Sequence, residues 1–533
     1  MTDAVAGDAV IENEAVVRRH THRVLMASFH GPEVPDWLRA GLAEGIGSIC
    51  LFGSNLTGDD GQLRQLTAEL HAAAPEGTLV TLDEEGGDVT RLDAVRGSPT
   101  AGAAVLGATD DVALTRQVAT GLGVRLRDVG IDLDLGPVAD VNCEPDNPVI
   151  GVRSFGAEPG LVARHVEAFV GGLQAAGVAA CVKHFPGHGA TVDDSHLAVP
   201  RLDVDLDTLR KRELVPFAAA VAAGAAAVMT SHIVISVLDS ERPATTSRPV
   251  LDLLRQELGF EGVLVTDALD MVGASRPYGG IPNAAVAALV AGADLLCIGP
   301  DHFPGEQEAL LPQVVDAVLT AVREGRLTPA RLAEAAGRVD ELIARLAATP
   351  VAETAIVTDV NPVAAQRALH LETPVTGVPD LGNAVVVEFG VTPGIAAGVV
   401  PWGLAGPLGR LLPGIERRVG SAEATVAEYL EDIEPKRAMV AVVRDAHRHS
   451  WVAEQLADLA AARPDLVVVE TGWPVVNDLG EPSGLPGATR MWTYGGSAVT
   501  LQAAAERLVA PELPDGEPTP TDNPRTDHGG TTR

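Results

Sequence analysis

Eight short apolar runs, separated by Ala-rich helical stretches, occupy the first two thirds of the chain and constrain its fold more than any other feature. They cover residues 23–29, 48–52, 78–83, 132–140, 179–185, 226–233, 262–267 and 293–299. Each is apolar on successive rather than alternate residues, the pattern of a parallel strand covered on both faces. Helical stretches such as 161–176, 206–223 and 283–291 lie between them, and 308–324 and 329–347 follow the last run. Eight strand–helix units in about 330 residues predict an α/β fold of the (β/α)8 TIM-barrel type. An open doubly wound sheet satisfies the same periodicity. The expected organisation is an N-terminal extension (1–19), a barrel (20–347), a linker with scattered Pro and Thr (348–380), a smaller α/β domain (381–510) and a disordered Pro/Gly/Thr-rich tail (511–533). In the smaller domain the predicted strands are 384–389, 438–443, 466–470 and 490–494, with helices at 450–462 and 499–508, a Rossmann-like or flavodoxin-like layer. No G-x-G-x-x-G opens a helix after a strand there, so no dinucleotide site is expected.

The formal net charge of −33 argues against nucleic acid and against an anionic membrane surface as partners. No apolar run reaches the roughly 18 residues of a membrane span. The first residues carry acids and no long apolar core, unlike a secretory signal, so the expected location is cytoplasmic. Cys50, Cys143, Cys181 and Cys297 each lie in or beside an apolar run and form no C-x-x-C pair, which predicts buried, reduced thiols.

Of the 39 basic residues, 36 are arginines; Lys183, Lys211 and Lys436 are the exceptions. A retained lysine in such a chain points to a role for a compact ammonium that a planar guanidinium cannot fill. Lys183 sits at the end of the fifth apolar run, beside His184. Polar residues cluster at the other run ends as well: Asp83 in LDEEGGDVTRL, Arg153 in NPVIGVRSFG, Ser231 and His232, and Asp267 in TDALDM. In a parallel barrel these ends form the face that carries chemistry. The loop after the fifth run (KHFPGHGATVDDSHLAVP, residues 183–200) presents His188, Asp193, Asp194 and His196, and its Gly187 and Gly189 allow motion or unusual backbone angles. In Asp194-Ser-His196 a carboxylate two residues from an imidazole orients it and raises its pKa, the arrangement of a general acid/base. His184, His188, Asp194 and His196 also make a conceivable metal set, but His184-x-x-x-His188 spans Pro186 and Gly187 and is not a helical ligand face. No metal and no cofactor are expected.

KHFPGHG followed by DSH and then TDALDM resembles the N-terminal barrel of glycoside hydrolase family three, in its β-N-acetylglucosaminidase branch. GSICLFGSNL, LDEEGGDVTRL, DLGPVADVN, NPVIGVRSFG and ERPATTSRPVL occur in the matching order across about residues 20–345. The resemblance implies that Asp267 is the nucleophile of a retaining mechanism, that His196 is the general acid/base with Asp194 as its partner, and that Asp83, Arg91, Arg153, Lys183 and His184 hold the terminal sugar. It further implies a small carbohydrate substrate: an N-acetylglucosaminide, such as a muropeptide or chitin fragment. Phosphorolysis on the same barrel and a non-catalytic sugar-binding protein are the competing readings. Asp270 and Asp193 are alternative carboxylates, Asp270 being read as a surface or loop residue. Asp88 stands where the family carries an arginine, which leaves the local electrostatics to be explained.

Overall fold

The computed structural model describes residues 14–193, 199–300, 303–349, 359–374, 377–391, 394, 396–398, 401–474 and 488–511. Eight parallel strands form the first sheet: β1 (Leu25–Ala27), β2 (Ser48–Leu51), β3 (Leu79–Leu82), β4 (Leu133–Asp134), β5 (Ala179–Phe185), β6 (Ala227–Thr230), β7 (Val263–Val265) and β8 (Leu296–Cys297). Strand order follows the sequence from β1 to β7, with β8 paired to β1. A parallel bridge between Val265 and Leu295 brings β7 to β8 and closes the ring, so the barrel holds and the open sheet does not. The interior packs on Met26, Leu79, Leu133, Ala179, Ala227 and Val263, and helices cover the outside.

Local sequence signals explain where these helices start. Glu158 accepts hydrogen bonds from the Gly160 and Leu161 amides, and Pro159 takes the first helical position of Pro159–Ala175. Thr328 and Pro329 do the same for Pro329–Ala348. The run predicted at 132–140 is a strand only at Leu133–Asp134. Pro137 has no N–H to donate, and the ladder beyond it survives as one bridge between Val138 and Lys183.

A second sheet contains β9 (His370–Glu372), β10 (Val385–Phe389), β11 (Glu416–Gly420), β12 (Met439–Val443), β13 (Val467–Glu470) and β14 (Thr489–Trp492), in the order β9-β14-β13-β12-β10-β11. It is parallel except for β9, which pairs antiparallel with β14. The stretch read as a linker thus contains a helix, Val360–Ala368, as well as edge strand β9. Among the described residues, no helix is long and apolar enough to cross a membrane. All four cysteines are unpaired; Cys50, Cys181 and Cys297 are buried as expected, whereas Cys143 is half-buried.

Asp88 is one of the residues that join the barrel to the second domain. Its carboxylate accepts from Arg444 Nη1 at 2.6 Å and from the Gly496 amide at 2.8 Å, and the Arg444 guanidinium lies 4.5 Å from the Trp402 ring centroid. Where the resemblance leads one to expect an arginine, Asp88 thus pairs with a cation from the second domain. Breaking such a buried pair from one side leaves the other charge uncompensated. Asp88→Asn and Arg444→Met should each cost about 3 kcal/mol, and the double variant less than their sum by about 1–3 kcal/mol. Urea denaturation of all four proteins measures this coupling, and strict additivity would contradict the latch.

Candidate active site

The ends of the barrel strands surround a cavity of about 580 Å³, bordered by Asp83, Arg91, Arg153, Lys183, His184 and Asp267. Its volume is that of a small-molecule site, for which about 300–1,000 Å³ is usual. Lys183, only 2% exposed, donates to Asp83 Oδ1 at 2.6 Å and lies 2.8 Å from Glu85 Oε1. Arg153 grips Glu85 with two bonds, Nε to Oε2 at 2.9 Å and Nη2 to Oε1 at 2.7 Å. Arg91 Nη2 lies 3.5 Å from Asp83 Oδ2. Burial opposes the Lys183 ammonium, but the adjoining Asp83 and Glu85 carboxylates outweigh it and hold the group well above the usual lysine range. Burial likewise opposes the Asp83 and Glu85 anions. Lys183 and Arg91 keep Asp83 below the ordinary range, and Arg153 and Lys183 keep Glu85 there. The site is thus a fully ionised lattice held by mutual neutralisation.

The loop carrying Asp83 and Arg91 is fastened by Glu84. Its Oε2 accepts from Thr90 Oγ1 at 2.9 Å and from the amides of Arg91 at 2.8 Å and Leu92 at 3.0 Å. Burial nevertheless pushes Glu84 up to about 7. Gly87 has φ +61°, and a Cβ there would meet Gly102 Cα at 2.6 Å, so the turn requires glycine. The Arg91 guanidinium also donates to Ala396 O at 3.1 Å, and Ala396, Ala397 and Gly398 of the second domain border the cavity.

His184 Nδ1 bonds to Asp140 Oδ2 at 2.7 Å, which fixes the ring and leaves Nε2 3.5 Å from Arg153 Nη2. The His188 amide donates to Asp140 Oδ1 at 2.7 Å, so one buried carboxylate fixes the His184 ring and the His188 backbone, while the His188 ring bonds through Nδ1 to Thr191 Oγ1 at 2.6 Å. Burial lowers His188 to about 4, which keeps its ring neutral. Sequence reading passed over Glu85 and Asp140. Both are acids at or just beyond predicted strand ends, the same signal that singled out Asp83 and Asp267.

Asp267 follows β7 and accepts from the Ala268 amide at 2.8 Å. His232 holds the same turn through Ala268 O at 3.0 Å, while Ser231 donates to Phe185 O at 2.9 Å. Asp270 is a half-buried residue of the turn after β7 that borders the cavity, and Gly299 leaves it room, since a Cβ there would meet Asp270 Oδ1. Asp194 and His196 lie outside the described residues. The loop that leads to them begins with glycines whose described backbone serves close approach. A Cβ at Gly189 would meet Val141 O at 2.0 Å, and one at Gly187 (φ +142°) would meet Glu213 Oε2 at 2.6 Å.

Glu213 lies fully buried beneath this loop, and burial raises its carboxyl to about 7 although Arg212 opposes the rise. A folded-state pKa above the unfolded value of 4.5 stabilises the fold fully below pH 4.5, and the contribution is lost as pH rises through about 7. Glutamine cannot ionise. Glu213→Gln should therefore gain on wild type between pH 5 and pH 9, by at most about 3 kcal/mol at roughly 1.4 kcal/mol per pKa unit. Denaturation midpoints across that range check the prediction; a constant difference would contradict it.

The family model described as "Glycosyl hydrolase family 3 N terminal domain" matches residues 33–342. The chain belongs to glycosyl hydrolase family 3. Over 308 residues it is 36% identical to the beta-hexosaminidase of Stenotrophomonas maltophilia (strain R551-3), covering 57% of this chain and 87% of that protein. It is 33% identical over 370 residues to beta-hexosaminidase A of Pseudoalteromonas piscicida, where the match covers 64% of this chain and 60% of the relative. A solved glycoside hydrolase family 3 beta-N-acetylglucosaminidase from Paenibacillus sp. str. FPU-7 superposes with a TM-score of 0.81 at 33% identity, covering 92% of this chain and 96% of that one. These relatives mark the chain as a β-hexosaminidase-like glycoside hydrolase.

Proposed function

We propose that this protein is a retaining exo-β-N-acetylhexosaminidase that releases terminal β-linked N-acetylglucosamine from a small glycoside. The observation that carries this reading is the placement of Asp267 on the wall of the same cavity as the buried Lys183–Asp83 pair. Lys183 has three N–H donors and spends two on carboxylates, so one remains for a sugar hydroxyl. Asp83 accepts a second hydroxyl, and Arg91, Arg153 and His184 complete the grip. A sugar held this way presents its anomeric carbon to Asp267. The carboxylate attacks that carbon as the leaving oxygen takes a proton from His196, which Asp194 orients. His196 then removes a proton from water, and the resulting hydroxide displaces Asp267, so the configuration is retained. The proposed substrates are muropeptide or chitin fragments, and the proposed place of action is the cytoplasm.

The test compares chromogenic N-acetylglucosaminide and glucoside with and without phosphate. Free N-acetylglucosamine in both buffers supports hydrolysis. Sugar 1-phosphate as the main product in phosphate buffer would replace it with phosphorolysis, and preference for the glucoside would overturn the 2-acetamido assignment.

A further inference from the structure

The sugar cavity stands on a layer rich in sulfur. Barrel interiors fill in layers of four side chains, each drawn from alternate strands. Asp83, Lys183 and Asp267 come from the odd strands β3, β5 and β7 and form the charged upper level. The level that accompanies them comes from the even strands: Cys50 of β2, Leu135 just past β4, Met229 of β6 and Cys297 of β8, all four bordering the cavity. Three of these four carry sulfur, in a 533-residue chain with only four cysteines and six methionines. Cys297 stands opposite Met26 on β1, and Cys50 lies on β2 at that strand's other side, so the two thiols are neighbours within the layer. A hydrogen bond with the Cys50 side chain, together with burial, pushes the Cys297 thiol well above its usual range. The Asp267 carboxylate acts in the same direction, and it would attract a cation placed there.

Disulfide formation does not suit this pair. A whole strand separates β2 from β8, which places their backbones about 9–10 Å apart, and a disulfide needs Cα atoms within about 7 Å. An ion bridging the two sulfurs through bonds of about 2.3 Å spans the extra distance. Among the described residues, no group of three or more His, Cys, Asp or Glu could hold a metal, so a harder ion lacks a ligand set. Two thiolates and a thioether select a soft ion instead.

We propose that the cavity floor binds a soft, thiophilic cation of the copper(I) class through the sulfurs of Cys50, Cys297 and Met229, and that the bound ion blocks the sugar. Binding exchanges protons for metal. Each ligating thiol releases its proton to solvent as its metal–sulfur bond forms, the thioether adds a neutral bond, and no electron is transferred. The site rests on the cavity walls and not on which sugar the cavity accepts.

Silver(I), a redox-inert probe of the same class, tests the site when titrated into the full chain in chloride-free buffer, with bound metal and released protons measured directly. One tightly bound ion per chain with proton release is expected. Cys50→Ser combined with Cys297→Ser should weaken binding at least 100-fold, and Met229→Leu, which preserves the packing, about tenfold. Cys143→Ser should change nothing. Unchanged affinity in both floor variants, or loss of the site in Cys143→Ser, would overturn the proposal, and Met229→Leu decides the matter if the double variant does not fold. A protein that binds one ion at the floor but hydrolyses no N-acetylglucosaminide leaves this site standing and removes the hydrolase reading alone.

Discussion

Asp267→Asn lowers turnover of a chromogenic N-acetylglucosaminide on the order of 10⁴-fold or more, because the amide cannot form the glycosyl ester on which both halves of the reaction depend. KM changes little, since Lys183 is held by Asp83 and Arg153 by Glu85. Asp267→Gly leaves space where the carboxylate stood, and azide restores bond cleavage in that variant with an inverted glycosyl azide as product. Activity close to wild type in Asp267→Asn would remove Asp267 from the reaction. An azide effect of equal size in wild type would remove the meaning of the rescue.

Lys183→Met is expected to damage stability and catalysis together. It strands Asp83 and Glu85 in a buried site with only Arg91 and Arg153 to neutralise them. Losing one partner of a buried charge cluster costs about 3–5 kcal/mol. The same loss removes a donor from the sugar, so kcat/KM should fall at least about 10³-fold, mainly through KM if the donor binds ground and transition states alike. Lys183→Arg preserves the charge and should fail nearly as badly. The ammonium lies 2.6 Å from Asp83 and 2.8 Å from Glu85, and a guanidinium needs a wider, planar slot. Urea denaturation and steady-state kinetics on both variants separate the two losses. A fully active Lys183→Arg would show that charge alone matters and would undo the explanation for a lysine in an arginine-rich chain.

Much of this site was legible because a charged residue at the end of an apolar run is conspicuous. Asp83, Lys183 and Asp267 stood out that way, and the fold brings them to one cavity. Glu85 and Asp140 carry the same mark, but their importance comes from the cations that approach them across strands, Arg153 and Lys183 in one case and His184 in the other. No local pattern announces such a partner. The Asp88–Arg444 contact is the extreme instance, joining residues 356 positions apart. Core strands were readable as unbroken apolar runs, whereas edge strand β11 (ERRVG) opens on three charged residues, buries only Gly420 and has no such run. Asp270 lies in the turn after β7, within the surface-or-loop reading, but its place on the cavity wall beside Gly299 follows only from the closed barrel. Gly187 and Gly189 were read as allowing motion or unusual backbone angles; Gly187 takes φ +142°, and at both positions Glu213 or the Val141 carbonyl lies where a Cβ would stand.

The covalent intermediate is the centre of the account, and trapping it is the most direct measurement. A fluorinated N-acetylglucosaminide that forms the glycosyl-enzyme faster than it breaks down is incubated with the protein, and the intact mass and peptide map are recorded. One sugar per chain is predicted, attached through Asp267. A sugar on Asp270, Asp193 or any other residue, or no adduct while the released sugar emerges with inverted configuration, would contradict the account.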